Sequence, residues 1–131
     1  MKEIGIQRAI EEVSIDGTVY EIDTSDDKRK KYAELASRLN ELGDEIEAQA
    51  KQNDEKVLVK ALEKAKEETK LITNEVIGEG AFEEIYPKTN NSTEHTIGVV
   101  SDVLHYIKER QDERQKQHFE KKRSKYIKKK K

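Results

Sequence analysis

The groups in this chain whose types and spacing could do chemistry are three histidines, a surplus of carboxylates and a terminal run of lysines. His95 and His118 stand in polar surroundings and His105 beside an apolar stripe. None of them forms an i, i+4 pair with another His or a clear His/carboxylate metal motif. The histidines therefore read as solvated or structural groups. The acids fall on helix-forming stretches, where they read as solvated faces, and no acid/base constellation points to an enzyme. "GEG" (Gly78–Gly80) lacks the Lys-Ser/Thr ending of a phosphate loop and reads as a helix stop. "DTSDD" lacks the Gly and the closing Glu of a calcium loop and reads as helix capping. With no cysteine, thiolate metal sites and disulfides are excluded. No catalytic, metal or cofactor-binding residue is assigned.

The lysines mark a charge asymmetry. Residues 108–131 hold twelve Lys/Arg and four Asp/Glu, net +8, whereas residues 1–107 are net −10. Lysines bind phosphate backbones without regard to sequence. An acidic body repels that backbone, however, and the tail has no interleaved aromatic platform for single strands. Nucleic-acid binding is thus disfavoured as the main function. No apolar run approaches the roughly 20 residues that cross a bilayer, and the N-terminus lacks a secretory cleavage pattern.

The elements that must carry these groups are mostly helical. "VSIDGTVYEID" is the exception: Asp16-Gly17 between two β-prone runs reads as a two-residue hairpin. Residues 2–12 are ambiguous between a third strand and a short helix. Thr24 or Ser25 can cap a first helix over residues 25 to about 51, with Asp26 and Asp27 at its positive end. Its stripe is Tyr32, Leu35, Leu39, Leu42 and Ile46, interrupted by Gly43. Asn53 can cap a second helix striped by Leu58, Leu62, Ala65, Thr69, Ile72 and Val76 and stopped by Gly78 and Gly80. Ala81 to Tyr86 can form one or two turns that Pro87 stops, with Phe82, Ile85 and Tyr86 closing the bundle like a lid. Ser92 or Thr93 opens a last helix striped by Ile97, Val100, Leu104 and Ile107. Beyond Ile107 the apolar period collapses into a helical extension, frayed or disordered at its end.

The expectation is a mainly α fold: a small N-terminal hairpin and a bundle of about three helices in residues 1–107, then a basic helical extension over 108–131. Charged residues make up 41% of the chain and the hydrophobic set 33%, with no Trp and two Phe. So thin a supply of bulky side chains predicts that part of a stripe stays open, to be covered by another copy or by an amphipathic client helix. Burial there gains about 25 cal/mol per Å². Leu35, Leu39, Leu42, Ile46, Leu58, Leu62, Val100 and Leu104 are the residues expected to line the core or a groove for a partner. The hairpin edge at Val19, Tyr20 and Ile22 is a candidate for strand pairing between subunits. Phe82, Ile85 and Tyr86 are candidates for packing the last helix.

The order of these features resembles the small tail assembly chaperones of long-tailed phages that infect Gram-positive bacteria. The resemblance rests on "SIDGTVYEIDTSDD", "KRKKYAELASRLNEL", "EVIGEGAFEEIYPKTNNSTE" and "KERQDERQKQHFEKKRSKY". Its most specific piece is "GEGAFEEIYP" followed by "VVSDVLHYI", and it spans nearly the whole chain. It implies a protein of the host cytoplasm that coats the helical, aggregation-prone tape measure protein and helps tail-tube subunits polymerise around it. The implied partners are the tape measure protein, the tail-tube protein and further copies of the chain. It also implies that the codons of Lys128 to Lys131 could hold a slippery stretch for a longer, frameshifted product. The readings kept beside it are a helical structural or adaptor protein of a phage tail, and a nucleic-acid-binding regulator.

Overall fold

Asp16 and Gly17 both take positive φ, 49° and 86°. That pair of left-handed residues makes a turn whose twist matches antiparallel strands. The computed structural model describes the backbone of residues 1–129 and the side chains of residues 1–123. Strands β1 (Ile10–Ile15) and β2 (Thr18–Asp23) pair antiparallel, with Ile15 opposite Thr18 and Ile10 opposite Asp23. Residues 1–8 join neither a strand nor a helix, so the N-terminal segment supplies only the first residues of β1. Side chains alternate along the hairpin. Glu11, Val13, Ile15, Tyr20 and Ile22 are buried or half-buried, while Glu12, Ser14, Val19 and Glu21 face water. One face thus packs on the helices, as one-sided antiparallel sheets do.

Among the described residues four helices follow: α1 (Asp26–Ala50), α2 (Glu55–Val76), α3 (Ala81–Lys88) and α4 (Thr93–Lys129). Ser25 stands at the N-cap of α1 but makes no side-chain cap bond there; the Asp23 carboxylate instead accepts from the Ser25 N–H at 2.8 Å. At α2 the cap is Asp54, not Asn53. Its carboxylate accepts from the N–H groups of Lys56 and Val57. Asn53 takes φ 55° in the link instead, a conformation Asn tolerates better than most residues. α3 ends one residue beyond Pro87, which sits within it. In so short a helix a proline close to the C-terminus removes little intrahelical bonding. Ser92 caps α4: its hydroxyl accepts from the His95 N–H at 3.1 Å.

The two long hairpin-forming helices run antiparallel, because Lys28 meets Glu75 while Arg38 meets Glu68. Leu39, Leu42, Ile46, Ala65, Ile72 and Val76 form their buried seam, and Ile97, Val100, Val103, Leu104 and Ile107 seat α4 against both. Among the described side chains Ile107 is the last buried one, so burial there stops where the apolar period stops. The backbone does not break there: α4 runs on as one helix. The lysines at 130 and 131, and the fraying expected at the end of the chain, lie outside the described residues. No helix among the described residues is long and apolar enough to cross a membrane.

Candidate protein-binding grooves

Small residues on α1 create the larger opening. Ala33 and Ala36 are too short to fill the space between α1 and α4, and a groove of about 600 Å³ results. Tyr32, Leu104 and Ile107 make its apolar floor; Arg29, Asn40, Ser101, Asp102, His105 and Lys108 make its rim. Tyr32 is held in place by donating its hydroxyl proton to the Asp23 carbonyl. Burial pushes the Tyr32 phenol up to about 12, with Asp23 and Glu75 adding to the shift. His105, on that rim, meets Glu109 at 2.9 Å, one turn along its own helix. An apolar floor edged by mixed charge suits a side-chain ridge of an amphipathic helix.

A second groove of about 490 Å³ lies where α3 returns along α2. Val59, Leu62, Lys66 and Tyr86 line it, with Thr93 and Glu94 from the start of α4. The Asn74 side chain accepts the Phe82 N–H at 3.0 Å, which fixes the start of α3. Phe82 and Tyr86 stack at 4.8 Å between centroids, and the Lys66 ammonium sits 4.9 Å over the Tyr86 ring. Phe82 and Ile85 are buried and Tyr86 is half-buried. These residues pack α3 into the body between α2 and α4.

The stripe residues divide. Leu39, Leu42, Ile46, Val100 and Leu104 are buried in the core of the single chain. Leu35 and Leu62 pack against that core half-exposed, and Leu58 is half-buried. Most of the ridge surface is therefore enclosed by helix-on-helix packing without bulky rings, because three aliphatic stripes face one another. Of the hairpin residues, Ile22 is 0% exposed and Tyr20 donates to Glu84 across to α3, while Val19 is 61% exposed. Stripe spacing does not reach Ala33, Ala36 or Ser101, because a groove forms where large residues are missing. It also passes over Val57, Val59 and Leu71, which lie exposed off the α2 stripe.

Charge ties the elements together around these grooves. Arg38 forks onto Glu68 at 2.6 and 2.7 Å, and that hydrogen bonding holds the Glu68 carboxyl below the usual range. Lys28 and Lys31 likewise hold Glu75 down. Glu11, buried on β1, meets Arg110 and Arg114 of α4, which couples the hairpin to the start of the basic extension. Among the described residues, no group of three His, Asp or Glu side chains converges as a metal site would require.

Compared with family models, with curated proteins and with solved structures, the chain matches none.

Proposed function

We propose that this chain is a phage tail assembly chaperone that shields the helical tape measure protein in the host cytoplasm and assists tail-tube assembly. The observation that carries the reading is the α1–α4 groove, an opening lined partly by apolar atoms on a protein whose surface is otherwise dense in charge. A client ridge seated there loses its contact with water, and the surrounding charges keep the complex dissolved. The motif "GEGAFEEIYP", through its resemblance to the tail assembly chaperones, supports the same reading. Many weak groove contacts along a long client add up through multivalency.

The test is co-expression with a phage tape measure protein. The client should move from the pellet to the soluble fraction when the chain is present. An Ala33→Trp variant, which fills the groove from an exposed position, should lose that effect while keeping the parent's circular dichroism. Client solubility that is the same with and without the chain overturns the assignment. Recovery of the chain from purified particles would instead favour the structural-protein reading.

A further inference from the structure

Among the described residues, the first eight have the fewest partners. Residues 1–10 are all exposed, with Ile4 at 78% and Ile6 at 91%. No backbone hydrogen bond holds residues 1–7 among the described residues. Water does not require two isoleucines in this place. Their alternation, Ile4 then Ile6, is the period of a strand with one apolar side.

A matching edge exists on the hairpin. In a two-residue hairpin the pair flanking the turn is hydrogen-bonded and the next pair is not. Ile15–Thr18, Val13–Tyr20 and Glu11–Ile22 are therefore the bonded pairs, and the Thr24 N–H to Ala9 C=O bond of 2.9 Å continues that phase. The N–H and C=O groups of Val19 and Glu21 consequently point away from β1, along an edge that no other strand of this two-stranded sheet covers. Val19 adds an exposed apolar side chain beside them. Charge is complementary as well. Residues 12–23 contain four acids, Glu12, Asp16, Glu21 and Asp23, and no Lys or Arg, whereas the arm, with Lys2, Glu3 and Arg8, is net positive by one.

We propose that residues 2–8 of one copy add as a third strand to the free β2 edge of a second copy. The chain's own β2 edge is out of reach. The Ile10 N–H to Arg8 C=O bond of 3.0 Å bends the chain at Ala9, and the far edge lies about 10 Å away, two strand spacings. A single residue cannot bridge that gap. In the pairing between copies, Ile4 and Ile6 run beside Val19, and Lys2 and Arg8 lie along the acids of the hairpin. The contact is heterologous: the arm of each copy is free to engage the next, so association proceeds beyond a dimer unless the geometry closes a ring. This inference is independent of the proposed client.

Sedimentation velocity on the full chain tests it, with three variants beside the parent. The parent should form dimers and larger species at tens of micromolar. Deletion of Lys2 to Gln7, and separately Ile4→Glu with Ile6→Glu, should leave monomers with unchanged helical circular dichroism. Glu21→Pro should do the same from the other side, because it removes an outward N–H and spares the bonded ladder. A parent that remains monomeric at several hundred micromolar overturns the proposal, and so does association that survives loss of the arm. If Glu21→Pro lowers the helical signal, Val19→Lys reads the same edge without touching the backbone, and association unaffected by it overturns the proposal. An arm that becomes protected from hydrogen exchange only when a helical client is added assigns it to the client instead, and overturns the proposal too.

Discussion

Thr69 is 0% exposed, and its hydroxyl finds no hydrogen-bond partner among the described residues. A buried hydroxyl without a partner costs free energy that an equally shaped methyl does not. Thr69→Val should therefore stabilise the fold by about 1 kcal/mol, read as a higher urea midpoint at unchanged slope. Thr73 is the internal control: its hydroxyl donates to the Thr69 carbonyl at 2.6 Å, so Thr73→Val should not give the same gain. Tyr32 carries a pH signature. Its folded-state phenol is raised to about 12 from an ordinary value near 10, so its contribution is complete below pH 10 and is lost as pH rises toward 12. Tyr32→Phe should cost about 1 kcal/mol at neutral pH and should flatten the alkaline limb of a melting-temperature profile between pH 10 and 12.

At the scale of the element, capping and glycine placement decide helix stability. Asp54→Ala should lose about 1 kcal/mol, because two amide protons of α2 lose their acceptor. Asn53→Ala tests a different thing, the left-handed backbone of the link, and should leave helix capping intact. Gly43 lies within α1, and a Cβ added there meets nothing within 4 Å. Gly43→Ala should raise stability by up to about 1 kcal/mol, measured by denaturant titration. Phe82→Ala should cost about 3 to 5 kcal/mol, since the ring is buried and stacked on Tyr86. A change below 1 kcal/mol in that last case would mean that α3 does not clamp α4 to α2.

For the whole molecule, the charge ties set the acid limit. Glu68 and Glu75 sit below the usual carboxylate range because Arg38, and Lys28 with Lys31, favour their ionised forms. Their stabilising contribution is present above about pH 4.3 and fades as pH falls through the depressed values. Thermal midpoints should accordingly fall below about pH 4, and less steeply in Arg38→Met, where Glu68 has no such partner. The pairs are partly exposed, so added salt should shrink the difference between the two profiles.

Much of this architecture was legible in one dimension because it follows from local rules. An Asp-Gly between β-prone runs turns back on itself wherever it occurs. Leucines and isoleucines three and four apart lie on one helix face regardless of what that face meets. The end of burial at Ile107, among the described side chains, was readable for the same reason. Three matters were decided only by the tertiary packing. The stripes face one another closely enough that Leu39, Leu42 and Val100 become core. The gap between α1 and α4 opens because Ala33, Ala36 and Ser101 are opposed in space, which spacing along the chain does not encode. Finally, Ile4 and Ile6 are left in water because the hairpin's inner face is already taken by the helices. Periodicity states which side chains share a side; only the packed molecule states which sides find each other and which remain uncovered.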